Sequence, residues 1–154
     1  MTESTQILVI DDEPSILNGC RMSLSENNYE VTCQSTGQSG LEEALNCNFD
    51  AVLLDMKLPD ISGMDVLEKV HEHAPAVPVI IMTGYSTVQN AVQAMKTGAF
   101  DYLTKPFSDD ELLLTVKKAI ENKLLRKENQ LLRDQLFERF DFNNIIGENK
   151  TILK

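Results

Sequence analysis

Five residues of this chain have types and positions suited to working together: Asp11, Asp12, Asp55, Thr83 and Lys105. Each stands at or directly after the end of a short apolar run. Asp11 and Asp12 follow "QILVI", Asp55 closes "AVLLD", Thr83 closes "PVIIMT" and Lys105 closes "DYLTK". If these ends meet, three carboxylates share one pocket and repel one another, and some stay protonated unless compensated. A hard divalent cation compensates through oxygen coordination. Mg²⁺ suits a site of a few carboxylates that keeps positions open for water and phosphate oxygens. Lys105 brings a second positive charge, able to pair with an acid or a phosphoryl oxygen, and Thr83 brings a hydroxyl donor. Such a set has the parts for phosphoryl transfer to a carboxylate. Asp55 attacks already ionised, so no separate base is needed, while metal and Lys105 neutralise charge on the phosphoryl oxygens. The two histidines, His71 and His73, lie well past the Asp55 strand end, on a helix with acidic neighbours, and read as solvated.

The elements that must position these residues alternate. Near-continuous apolar runs at 6–10, 51–55 and 78–83 read as strands of a parallel sheet covered on both faces. "YEVTCQ" (29–34) alternates more, as an edge strand would, and 101–105 is a fifth candidate. Between them, 15–27, 37–47, 64–73 and 87–97 carry helical stripes, the last stopped by Gly98, and a fifth helix starts at Ser108 or Asp109 ahead of Glu111. Strand–helix alternation means right-handed βαβ units. The count predicts an α/β, flavodoxin-like, doubly wound five-stranded parallel sheet of order 2-1-3-4-5. In such a sheet the site lies at the carboxyl ends of the strands, and there all five residues converge on one rim.

Composition narrows the context. The 154 residues suit one domain plus an appendage, and 42% of them are hydrophobic. A formal net charge of −10 disfavours direct contact with duplex DNA. Cys20, Cys33 and Cys47 have no metal-like or redox-like spacing and fit reduced thiols of a cytoplasmic protein. The start, "MTESTQILVIDD", has no basic region ahead of its apolar run, so no signal peptide is expected, and no window approaches a membrane span.

The stretches "ILVIDDE" (7–13), "LLDMKLPDISGMD" (53–65), "IIMTGYS" (80–86) and "GAFDYLTKPF" (98–107) resemble, in order and spacing, the receiver domain of two-component response regulators. The resemblance covers about residues 5–122. It implies Asp55 as phosphoacceptor, supplied by a sensor histidine kinase. It implies Mg²⁺ held by Asp12 and Asp55 directly, by the backbone carbonyl of Lys57, and by Asp11 through water. Thr83 would be the switch hydroxyl and Tyr102 the switch aromatic, and Lys105 would be joined to Pro106 by a cis peptide. Gly84 leaves the space beside Thr83 free of a side chain, and Gly63 permits a tight return into the third helix. Within the family, the chain looks similar to nitrogen regulatory types. These attach a sigma-54-dependent AAA+ ATPase and a separate DNA-binding domain, and "FNNIIGENKTILK" resembles the start of such an ATPase. The expected organisation is a receiver over 1–118, a helical dimerisation linker over 119–141 and the start of a truncated AAA+ domain over 142–154.

The last helix continues past the receiver. Residues 109–140 contain neither Pro nor Gly, and 117–140 hold seven Lys/Arg against four Asp/Glu. Leu125, Asn129, Leu132 and Leu136 have d-a-d-a spacing, and an Asn at an a position favours a parallel dimer. Ile120, Leu124 and Leu131 form a second stripe beside them. The expected partners are therefore a second copy, through the 117–140 helix or a receiver face, the kinase and an attached ATPase, with no membrane contact and DNA only through an absent domain.

Three other classes compete. An aspartate-nucleophile phosphatase needs an acid or base shortly after its nucleophile and a cap over its substrate; here Lys57 holds that position and no insertion is long enough for a cap. A flavodoxin needs a Ser/Thr/Gly-rich phosphate loop where this chain has the acidic "DDEPS". A constitutive structural dimer module would require a non-functional pocket.

Overall fold

The computed structural model describes residues 4–84 and 88–147. Five strands alternate with five helices: β1 (Thr5–Ile10), α1 (Pro14–Glu26), β2 (Tyr29–Gln34), α2 (Gly37–Asn46), β3 (Ala51–Asp55), α3 (Gly63–His73), β4 (Val79–Thr83), α4 (Val88–Thr97), β5 (Asp101–Thr104) and α5 (Asp109–Gly147). The strands form one parallel sheet of order β2-β1-β3-β4-β5. This is the fold class and strand order that the alternation predicts. β4 starts at Val79 rather than at Pro78, because proline has no N–H for the ladder; its carbonyl still accepts the Val52 N–H at 3.0 Å.

The continuous apolar runs follow from burial on both faces. Along β1, Ile7 and Val9 point to one side and Leu8 and Ile10 to the other. Leu8, Ile10, Val52, Leu54, Val79 and Ile81 pack against α2, α3 and α4. Ile7, Val9, Leu53, Ile80 and Met82 pack against α1 (Cys20, Leu24) and α5 (Leu112, Val116, Ala119). These strand side chains are almost completely buried, each stabilising the fold by roughly 1.5–3 kcal/mol relative to exposure. β2 and β5 are the edges, and neither is buried throughout.

Helix starts follow local chemistry. Thr36 caps α2 and Ser62 caps α3 through their side chains. Ser108 begins α5 in a reciprocal box: its hydroxyl accepts the Glu111 N–H at 3.1 Å, and Glu111 Oε1 accepts the Ser108 N–H at 3.0 Å. Asp109 is instead used sideways, accepting the Ser23 hydroxyl of α1 at 2.7 Å.

The chain divides into two units, residues 1–123 and 124–154. In the first, α5 fills the core as far as Ala119, with Ile120 packed against it. Ile120 thus contacts the sheet side of this unit, whereas the sequence pattern grouped it with Leu124 and Leu131. Lys123 closes the unit, donating to the Phe49 carbonyl at 3.2 Å and to Asp50 Oδ1 at 3.0 Å. In the second unit α5 continues to Gly147, past residue 141, where the helical linker is expected from sequence to end. Leu124, Leu125, Leu131 and Leu132 are exposed along it, as is Asn129. The side chain of Leu136 and residues 148–154 lie outside the described part. Among the described residues no helix is long and apolar enough to cross a membrane.

Candidate functional site

The sheet changes winding direction between β1 and β3, and α/β sheets place ligands at the carboxyl ends of strands at such a point. Asp55 is the last residue of β3, and Asp11 and Asp12 directly follow β1. Oxygen atoms of Asp11, Asp12 and Asp55 all lie within 4.8 Å of one another. Asp11 and Asp55 are buried while Asp12 is exposed, so the cluster opens to solvent on the Asp12 side.

Lys105 follows β5 and reaches across the rim. Its Nζ lies 2.8 Å from Asp11 Oδ2, 3.3 Å from Glu13 Oε1 and 3.5 Å from Asp55 Oδ2. The Lys105–Pro106 peptide is cis, as the resemblance implied. The Lys105 N–H donates to the Thr83 carbonyl at 2.6 Å, joining the residue that follows β5 to the last residue of β4. Thr83 is buried at the end of β4, while Tyr102 faces outward on β5, with nearly half its surface exposed. The Lys57 side chain is exposed and its N–H donates weakly to Asp55 Oδ1 at 3.4 Å.

One cation for so many carboxylates leaves the balance negative. Burial, then repulsion from Asp11, pushes the Asp55 carboxyl up from 3.8 to about 6, against the pull of Lys105. Burial works against the Lys105 charge, but its bond to Asp11 and the charges of Asp11 and Asp55 outweigh that and raise its pKa. Asp11 Oδ2 is fully buried and, although it forms the ion pair with Lys105, has no hydrogen bond of good geometry. An under-satisfied buried carboxylate oxygen, two further carboxylates beside it and no thiol or imidazole in the cluster are the donor set of a hard divalent cation. The cluster is thus able to coordinate a metal ion.

The structure brings Asp11, Asp12, Asp55 and Lys105 together and sets Thr83 at the neighbouring strand end. His73 is exposed, with Nδ1 2.9 Å from the Lys69 carbonyl. His71 is half-buried, its ring lying where a side chain on Gly98 would go. Glu13 was missed from sequence. Its one signal is adjacency to "DD", and its backbone N–H also donates to Asp11 Oδ1 at 2.9 Å. Gly63 proves necessary through close approach, since a Cβ there would collide with the Asp55 carbonyl oxygen and the Met56 backbone. At Gly84 a Cβ would meet nothing within 4 Å among the described residues.

A doubly wound sheet with a buried aspartate at the end of its third strand, two acids after the first and a lysine after the fifth is a five-stranded CheY-like fold carrying an acidic cluster at its carboxyl rim. Residues 7–117 match the response regulator receiver domain family, and the chain belongs to that family. It is 31% identical over 153 residues to the regulatory protein AtoC of Escherichia coli K12, covering 99% of this chain and 33% of that protein. It is 38% identical over 145 residues to the C4-dicarboxylate transport transcriptional regulatory protein DctD of Pseudomonas aeruginosa, covering 93% of this chain and 31% of that one. The chain therefore spans about a third of the length of these two relatives. Among solved structures, it resembles NtrX from Brucella abortus with TM-score 0.81 and 30% identity, over 84% of this chain and 30% of that one. It also resembles a CheY-like receiver domain protein from Methanospirillum hungatei with TM-score 0.77 and 33% identity, over 80% of this chain and 99% of that one.

Proposed function

We propose that this chain is the receiver of a two-component transcription regulator, accepting a phosphoryl group on Asp55 from a phosphohistidine of a sensor kinase. One observation carries the reading: Asp55 is a buried carboxylate with its Oδ2 3.5 Å from Lys105 Nζ, facing Asp11 and Asp12. Its carboxylate oxygen attacks phosphorus in line, and the imidazole nitrogen of the donor leaves. Mg²⁺, held by Asp12, Asp55 and the Lys57 carbonyl with Asp11 through water, supplies charge neutralisation when bound. Lys105 exchanges a carboxylate partner for a phosphoryl oxygen, and the Thr83 hydroxyl closes on the same group. Tyr102, outward in this structure, turns inward with Thr83 and reshapes the face formed by α4, β5 and α5.

The output reading follows the relatives and the exposed leucines. Residues past Lys123 pair two copies in parallel through Leu125, Asn129 and Leu132, and Leu136 continues that spacing. The attached module is a sigma-54-dependent AAA+ ATPase beginning near residue 142, with DNA contacted by a further domain. Intact-mass measurement with a small phosphodonor and Mg²⁺ tests the core claim. Wild type gains one phosphoryl mass and Asp55→Asn gains none; equal labelling of both refutes it.

A further inference from the structure

The loop that follows Asp55 is clamped at a place that touches none of the reacting groups. Asp60 lies in this loop, and its carboxylate accepts the Gly37 N–H at Oδ1 and the Gln38 N–H at Oδ2, both at 2.8 Å. These are the first two N–H groups of α2, which have no acceptor within the helix. The third, on Ser39, is taken by Thr36 Oγ1 at 3.1 Å. α2 therefore has its own cap, and the Asp60 bonds join two segments more than 20 residues apart in sequence. The N–H of Gln38, then that of Gly37, holds the Asp60 carboxyl below its ordinary range despite some desolvation, so it is ionised at neutral pH. Ile61 adds a steric key. A Cβ on Gly37 would fall 2.5 Å from Ile61 Cγ1, so only a bare backbone admits the loop this close. At its far end the loop closes on itself, the Gly63 N–H donating to the Met56 carbonyl at 3.0 Å. Between the two fastenings runs Lys57.

We propose that Asp60 is a positioning residue for the Asp55 site: by gripping the start of α2, it fixes the 56–62 loop so that the Lys57 backbone stays against Asp55. This rests on the reading of Asp55 as acceptor and of the Lys57 carbonyl as a metal-side group. An exposed loop without such a fastening opens locally at little cost, and loss of a partner that orients a ligand typically lowers metal affinity about 10–100-fold.

The test uses the full chain with Asp60→Ala, Asp60→Asn and, as control, Thr36→Ala, which removes a cap of the same helix but not the clamp. Mg²⁺ affinity is read by calorimetry, amide exchange of 56–62 in metal-free protein by mass spectrometry, and phosphoryl uptake from acetyl phosphate by intact mass. Asp60→Ala is expected to weaken Mg²⁺ binding at least about tenfold, slow phosphoryl uptake and speed loop exchange. Asp60→Asn, with one acceptor oxygen, should fall between it and wild type. Thr36→Ala should melt lower with Mg²⁺ affinity unchanged. Wild-type affinity and exchange in Asp60→Ala overturn the proposal, as does an equal loss of affinity in Thr36→Ala. If wild type neither binds Mg²⁺ nor gains phosphoryl mass, the acceptor reading fails, and exchange alone still decides whether the clamp holds the loop. Should Asp60→Ala not fold, Gly37→Ala strains the same seam: it should weaken Mg²⁺ binding, and adding Ile61→Ala should restore it. Failure of that rescue overturns the proposal.

Discussion

Replacing Asp55 by asparagine should make the metal-free protein more stable while abolishing its chemistry. The folded protein raises the Asp55 carboxyl from 3.8 to about 6, by burial first and by Asp11 second. A carboxyl raised on folding binds its proton more tightly in the native state. Stability is therefore highest below the unfolded value, falls as pH rises from 3.8 through about 6, and stays reduced above it. A shift of about two pH units corresponds to roughly 3 kcal/mol of native-state cost at neutral pH. Asparagine keeps the shape and discards the charge, so Asp55→Asn should gain a free energy of that order. For a domain of this size that is a rise on the order of 10 °C in melting temperature. The assay is thermal unfolding of both proteins in a chelator, at about pH 7.5 and about pH 4, repeated in excess Mg²⁺. The gap should be wide at the higher pH and narrow at the lower, where both forms are mostly uncharged at this position. Mg²⁺ should narrow it too: saturation at a hundred times Kd stabilises a site by about 2.7 kcal/mol, and the variant lacks one of the carboxylates. An Asp55→Asn protein that melts at or below wild type in chelator near pH 7.5 would refute the electrostatic argument, as would a gap that does not change with pH.

Lys105→Ala should still take up phosphoryl mass but fail to pass on the change in shape, read as unchanged labelling with no phosphorylation-dependent shift in amide exchange over α4 and β5. Its metal-free form should also lose roughly 3 kcal/mol, because Asp11 is left buried without its cation, and Mg²⁺ should return much of it. A chain ending after Lys123 should keep the whole core and sediment as a monomer at concentrations where the full chain is a dimer. Leu132→Asp in the full chain should do the same; equal association of all three moves the contact to the receiver. Asn129→Leu should tighten association and relax its specificity toward trimers or shifted registers, since a buried Asn is satisfied best by its mate across the axis.

Much of this molecule is written in short-range pattern. Apolar runs such as Ile7–Ile10 and Leu53–Leu54 could be read as doubly covered strands because every residue of them has a core to fill. Parallel strands with crossover helices then place Asp11, Asp55, Thr83 and Lys105 at one rim with little further choice. What escaped the sequence depends on distant partners. Glu13 reads as an ordinary residue before a helix until Lys105 arrives from 92 positions away. Asp60 reads as a turn former until α2 presents two bare N–H groups. Ile120 shows the limit of periodicity, because a stripe announces that a face is buried without saying by what. Three residues before Lys123, the stripe turns into the receiver's own core.

The grip of Lys123 on Phe49 and Asp50 bears on how such chains are recombined. Asp50 also accepts the Gln6 N–H at 2.8 Å, so one carboxylate ties the starts of β1 and β3 to the last receiver turn of α5. A fusion joint placed where the family motifs end, near residue 117, would delete Ala119 and this tie and hand a new output module to a domain with an open floor. A joint placed after Lys123 transfers a receiver whose last fastening travels with it.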